Sequence, residues 1–288
     1  MSRPDAPFDR VAVLDWSASA AKPRLKPKAD AIWLGLCDGT TTTRCFPTRH
    51  AAESALHDLM ALPGRLLIGC DFAMGYPTGF AARLTGIAKA EAVWAWLSHQ
   101  ITDGTDNKNN RFAVAAAINR QMGQPLFWGR PATLTLPDLP ATRPAALGFA
   151  QRRQVDTLIP RAQSVWKLYT TGAVGSQSLM GLPMIHRLSQ RPDVSIWPFA
   201  RPDARVVVAE VYPSLLAAEV RAASTPVTIK DEVQVRLLAQ ALWRLNTSGG
   251  LSSLLESPEL GKVGPAIARE EGWILGAGHV AALQQALQ

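Results

Sequence analysis

Three apolar runs in this chain each close on a single acid: Val11-Ala-Val-Leu-Asp15, Leu66-Leu-Ile-Gly-Cys-Asp71 and Val206-Val-Val-Ala-Glu210. Short, β-branched or apolar runs bounded by turn residues predict buried strands. An acid at the last position of such a strand falls at the carboxyl edge of the sheet, where open α/β proteins place their ligands. Three carboxylates at one edge would suit hard, oxygen-loving cations such as Mg²⁺ or Mn²⁺. The pair Glu270-Glu271 offers a further ligand from near the end of the chain. The chemistry this predicts is hydrolysis of a phosphoester. Two cations about 3.5–4 Å apart neutralise phosphate, acidify an attacking water and stabilise the leaving oxygen. The expected metal ligands are Asp15, Asp71, Glu210, Glu270 and Glu271, with Asp15, Asp71, Glu210 and Glu271 as the catalytic set. Each acid alone also fits a plainer role as a strand terminus or in the first turn of a helix, where the macrodipole favours it. Their recurrence on three strands carries the expectation.

A phosphate needs cations and hydrogen-bond donors on its other side. Asp106-Asn-Lys-Asn-Asn-Arg-Phe112 places Arg111 just ahead of a helical stretch, and the polar segment from Gln163 to Gln177 contains Lys167, Ser176 and Gln177. A Gly/Ser turn entering a helix can hold an anion with backbone N–H groups, although no Gly-Lys-Ser/Thr follows at the spacing of a Walker loop. Lys230 opens another helical pattern, and Lys22-Pro-Arg-Leu-Lys-Pro-Lys28 is a basic loop directly after the first strand. Arg111, Lys167, Ser176, Gln177 and Lys230 are therefore the expected phosphate or substrate contacts, and a nucleic acid or nucleotide the expected partner. Trp16 reads as core packing, or as a surface on which a base could stack. Other chemistries lack their signatures. There is no Gly-x-Ser-x-Gly elbow, no His-x-x-x-His among the five histidines and no Gly-x-Gly-x-x-Gly after the first strand. Cys37, Cys45 and Cys70 have no metal-ligand spacing and read as reduced, packed thiols.

The elements that must position these residues follow from pattern. After the first strand, 31–36 and 40–46 read as strands joined at Asp38-Gly39, a hairpin signal. Helical periodicity covers 50–61, 89–102, 110–121, 177–190 and 230–246. Residues 125–145 are Pro-rich and irregular, and Ser195-Ile-Trp-Pro-Phe199 reads as an edge strand, where proline is tolerated. Pro213 suits a first helical turn, and Glu270-Glu271 read as the entrance to the last helix. The class is α/β: a mixed sheet, antiparallel over its first three strands and parallel thereafter, flanked by helices. The 288 residues read as a single domain over 1–288, with a large, mostly helical insertion at 72–200. No apolar run is long enough to span a membrane, and the first residues lack the apolar core of a signal peptide, so a cytoplasmic location is expected. The formal net charge of +7 suits a phosphorylated partner.

Several of these segments resemble a known family. Val-Leu-Asp15, Gly-Cys-Asp71-Phe-Ala-Met-Gly-Tyr-Pro, Ala-Glu210-Val-Tyr-Pro-Ser, Lys230 with Arg236, and the acidic pair near the C-terminus are similar to motifs of the bacterial family called domain of unknown function 429. That family is regarded as RNase H-like nucleases, and the resemblance spans most of the chain. It implies an RNase H-like sheet and a Mg²⁺- or Mn²⁺-dependent nuclease site built on Asp15, Asp71 and Glu210. The family carries aspartates where this chain has Glu270-Glu271. A subgroup with similar Trp-Lys-Leu-Tyr-Thr-Thr-Gly and Glu-Glu-Gly-Trp-Ile-Leu-Gly phrases is often labelled for molybdopterin-guanine dinucleotide or cobalamin biosynthesis. It implies an alternative, a nucleotide- or pterin-nucleotide-handling enzyme. A third expectation is a non-catalytic binding module on the same fold.

Overall fold

The computed structural model describes residues 7–23, 26–27, 29–160, 162–256 and 264–288. Six strands form one mixed sheet: β1 (Arg10–Asp15), β2 (Ile32–Cys37), β3 (Thr41–Phe46), β4 (Leu66–Cys70), β5 (Val194–Trp197) and β6 (Val206–Glu210), in the spatial order β3-β2-β1-β4-β6-β5. The β1–β2 and β2–β3 pairs are antiparallel, and the β1–β4, β4–β6 and β5–β6 pairs are parallel. The antiparallel-then-parallel layout is the one expected. The short strand containing Trp197 is indeed at the edge, outside β6. Every residue of β4 and β6 is buried, as it must be for parallel strands covered on both faces. The outer strand β3 instead alternates half-buried and exposed threonines.

Strand parity divides the core in two. Ala12, Leu14, Ile68, Cys70, Val206 and Val208 point to one layer, shared with α1 (Arg49–Ala61), α3 (Ala90–Gln100) and α6 (Val174–Ser189). Val11, Val13, Leu67, Val207 and Ala209 point to the other, which holds α8 (Lys230–Thr247). α8 lies across β1, β2 and β3. It can do so because Gly35 on β2 has no side chain: a Cβ there would stand 2.5 Å from the Val235 carbonyl oxygen. Its Lys230–Asp231 end is thereby fixed over the carboxyl end of β1.

The expected insertion contributes α2 (Phe80–Thr85), α3, α4 (Arg111–Met122), α5 (Gln154–Thr157) and α6. It is no separate body, since its side chains belong to the same apolar cluster as the sheet. Tyr76, Phe80, Phe127, Phe149 and Trp166 form the joint, with Tyr76 stacked on Trp166 at 5.3 Å between ring centroids. Residues 125–145 carry no regular element, as their prolines predicted.

Two boundaries depart from expectation in ways that matter for the site. α6 starts at Val174, so Gly175 and Ser176 lie in its first turn instead of a loop ahead of it. Glu270 and Glu271 are the last residues of α10 (Pro265–Glu271), not the entrance to a helix. Gly272, at φ 70°, turns the chain out of α10. The chain then runs beside β6, where the Leu275 N–H donates to the Glu210 carbonyl at 2.8 Å. After it come Trp273 to Ala277 and α11 (Val280–Gln285). Among the described residues no helix is long and apolar enough to cross a membrane.

Candidate functional site

The carboxyl ends of β1, β4 and β6 are level. Leu14 pairs with Cys70, Cys70 with Glu210, and the Asp71 N–H donates to the Leu14 carbonyl at 2.9 Å. The three strand-end acids therefore reach one edge, but not one face. Side chains alternate along a strand, and in parallel pairs the registered residues share a face. Glu210 stands in register with Cys70, which points into the α1/α3/α6 layer. Asp15 and Asp71 each come one residue later and share the parity of Val13, toward α8. Glu210 arrives one residue early to join them.

A different acid completes the pair's surroundings. The start of α8 brings Asp231 to Asp15 and Asp71, held by the Asp30 N–H, which donates to its Oδ2 at 2.8 Å. The electrostatics record the crowding. Burial, then Asp71, Asp231 and Asp30, hold the Asp15 carboxyl well above the usual range, with Lys230 opposing. Burial, then Glu210 and Asp231, push Asp71 up to about 7. Burial likewise raises Asp231. Among the described residues no donor hydrogen-bonds to the carboxylates of Asp15 or Asp71. Carboxyl groups that repel each other and lack a basic partner are satisfied by protons or by a cation.

Glu210 is committed elsewhere. Arg153 grips it with two parallel bonds, Nη1 to Oε2 at 2.7 Å and Nη2 to Oε1 at 2.6 Å, and the Met74 N–H adds a third at 3.0 Å. Arg153 also bonds both oxygens of Asp156, at 2.8 and 3.1 Å. Burial alone would lower Arg153, but Asp156 and Glu210 outweigh it and hold the guanidinium firmly charged. Glu271 accepts from the Thr78 N–H and hydroxyl at 2.8 and 2.9 Å and from the Gln154 N–H at 2.6 Å. Glu270 accepts from the Gly79 N–H at 2.9 Å. These three glutamates stitch residues 71–79, the Arg153 segment and the end of α10 into one floor beneath Asp71. At the C-terminus of α10 the macrodipole disfavours acids, and the N–H groups of residues 78, 79 and 154 compensate.

Above the sheet edge lies a cavity of about 720 Å³, lined by the acids Asp15, Asp71, Glu210 and Asp231 and by Arg111, Ser176 and Gln177. Arg111 donates from Nε to the Ser176 hydroxyl at 3.0 Å and from Nη1 to Asn109 at 2.7 Å, and lies 4.2 Å from the Phe112 ring centroid. Burial and the nearby Arg49 lower it to about 10. The Gln177 amide donates to the Trp16 carbonyl at 2.6 Å. Lys230 also lines the cavity. Lys167 does not: its ammonium holds the carbonyl of Thr171, a lining residue, at 2.6 Å. Nor is there a backbone anion turn, because the Gly175 and Ser176 N–H groups donate to the carbonyls of Lys167 and Ala173. The asparagine-rich segment supports the wall. Buried Arg49 binds Asp103 through two bonds at 2.6 and 2.5 Å and the carbonyls of Ser17 and Ser19 at 3.0 and 2.8 Å, while Asn107 bonds the Pro47 carbonyl. In the basic loop, Lys22 and Lys26 flank Asp30 beside this cavity, and Arg24, Leu25 and Lys28 lie outside the described residues.

Among the described residues no group of three or more His, Cys, Asp or Glu side chains is placed to hold a metal ion. A Mg²⁺ site needs no such group, since the ion keeps several waters and is held by one or two carboxylates together with substrate phosphate. The hard oxygens of Asp15 and Asp71 fit it. Sequence reasoning missed Arg153 and Arg49, and gave Asp30 and Asp231 no role. An acid opening a helix is too ordinary to stand out, and arginines in irregular segments carry no local signal of burial. Comparison of the chain with protein-family models, curated proteins and solved structures finds no match in any of the three.

Proposed function

We propose that this chain is a metal-dependent phosphoesterase on an RNase H-like sheet, with Asp15 and Asp71 as the ligands of Mg²⁺ or Mn²⁺. One observation carries the reading. Among the described residues, two carboxylates on adjacent parallel strands face a cavity with no basic side chain hydrogen-bonded to them, and Arg111, a cation with no carboxylate bonded to it, lines the same cavity. The strand order and the motifs similar to domain of unknown function 429 support the same reading.

In the proposed hydrolysis a water adds to phosphorus, the P–O ester bond breaks, and the water's proton passes to the leaving oxygen. The cation, when bound, supplies charge neutralisation and a more acidic water. The residues do the rest. Asp231 adds a third carboxylate beside the pair, placed to orient the attacking water. Arg111 and Lys230 offset charge on the non-bridging phosphate oxygens. Glu210, locked by Arg153, and Glu270 with Glu271 keep Asp71 in place.

The test is hydrolysis of phosphodiesters with and without Mg²⁺ or Mn²⁺. Activity should require the cation and fall roughly 100-fold or more in Asp71→Asn. Equal activity in both proteins would end the assignment.

A further inference from the structure

We propose that the cavity takes a single phosphoester of nucleotide size, its phosphate held between the Asp15–Asp71 edge and Arg111, and not a length of nucleic acid. This rests on the hydrolytic reading above and names the substrate class of that site. Size is the first argument. At about 720 Å³ the cavity falls in the range of small-molecule sites, roughly 300–1,000 Å³. The segment 162–177 and the start of α8 contribute to its lining.

Charge is the second. Among the described residues the cations lining the cavity are Arg111, Arg153 and Lys230. Arg153 is taken up by Glu210 and Asp156, which leaves two for substrate. Two suit the charge of one phosphate. A polymer is held by a track of cations, each displacing counterions from its own phosphate. Asp15, Asp30, Asp71 and Asp231 also line the wall, and a polyanion lying along it would be repelled.

The third argument is the wall's preparation for one bound molecule. Arg111 is fixed by Ser176, Asn109 and Phe112, and its Nη2 has no partner among the described residues. Gln177 and Gln234 line the same cavity and offer neutral hydrogen-bonding groups to the part of the substrate beyond the phosphate.

The experiment compares four substrates under Mn²⁺: thymidine 5′-(p-nitrophenyl phosphate), a long single-stranded DNA, its duplex and an RNA–DNA hybrid. The full chain, Asp71→Asn, Arg111→Ala and Arg111→Lys are assayed. The small diester should be hydrolysed in an Asp71-dependent manner, with kcat/KM at least about tenfold above the polymers. Arg111→Ala should raise its KM about tenfold, the loss of one charge-assisted contact. Arg111→Lys, which keeps the charge and loses the fork, should fall between, and its folding guards against a trivial failure of the alanine variant. Internal, Asp71-dependent cleavage of the polymers at comparable kcat/KM would overturn this inference and leave the hydrolytic reading standing. No Asp71-dependent hydrolysis of any substrate would overturn both, and an unchanged KM in both Arg111 variants would overturn the phosphate placement.

Discussion

Replacing Asp71 by Asn should make the protein more stable while removing its activity, and the size of the effect follows from the site. The Asp71 carboxyl is pushed from 3.8 up to about 7 by burial, Glu210 and Asp231. In the unfolded chain it titrates near its ordinary value, so folding raises its proton affinity. For such a group the folded state suffers no penalty below about pH 4. The penalty grows as pH rises from about 4 to about 7 and is constant above. At 1.36 kcal/mol per pH unit, the span from 3.8 to about 7 sets an upper bound of about 4 kcal/mol. Asp71 opens onto a water-accessible cavity, so about 2 kcal/mol is the working figure. An Asn amide is neutral at every pH and mimics the protonated acid. Without divalent cations at pH 8, Asp71→Asn should melt about 4 °C above wild type, and the two should converge at pH 4. Added Mn²⁺ should raise the wild-type melting temperature by mass action and leave the variant nearly unmoved. Thermal melts at both pH values, with and without Mn²⁺, decide it. A variant less stable than wild type at pH 8 would show that Asp71 is structurally satisfied and refute the site.

Arg153→Met should destabilise by about 3–5 kcal/mol, because it leaves Glu210 and Asp156 buried without their cation; urea unfolding should also show the loss shrinking toward acid pH, where Glu210, already raised by burial, protonates. The double variant Arg153→Met with Glu210→Met should recover part of that loss, which a double-mutant cycle would measure. Gly35→Val should shift α8, since even a Cβ meets the Val235 carbonyl at 2.5 Å; Mn²⁺-dependent activity should fall more than stability does, read by kcat beside a melting curve. Lys167→Ala should change KM less than about twofold, in contrast to Arg111→Ala, because its ammonium is taken up by the Thr171 carbonyl and does not line the cavity.

The strands, and the helices over 49–61, 90–100, 111–122 and 230–247, were legible because each is a local pattern of apolar period and turn residues. The start of α6 was not. Val174 and Gly175 carry no capping signal, and what fixes the boundary is tertiary: a Cβ at Gly175 would run into the Val165 carbonyl oxygen. The acids divide along the same line. Asp15 and Asp71 could be read from strand ends. The role of Glu210 turns on a single residue of register and on an arginine 57 positions away. Nothing local to either residue announces that pairing.

The parity difference between Glu210 and the two aspartates also gives the proposed site both unpaired carboxylates and a rigid support. Glu210 still repels Asp71, but an acid of β6 on the Asp15–Asp71 face would have done so without a cation to hold it. Turned to the other face, Glu210 instead meets a guanidinium and a backbone N–H, and its bonds tie down the turn that carries Asp71. The third carboxylate comes from Asp231, on a helix set against the sheet through Gly35. It is held by one N–H bond from the turn at Asp30, where the chain leads back from the basic loop to β2. Asp30 therefore has leverage over the site. Shortening this loop so that the Asp30 N–H no longer reaches Asp231 should lower kcat while leaving the Arg153–Glu210 floor, and with it most of the stability, in place. A melt that drops as far as that of Arg153→Met would contradict this division between a rigid floor and an adjustable wall.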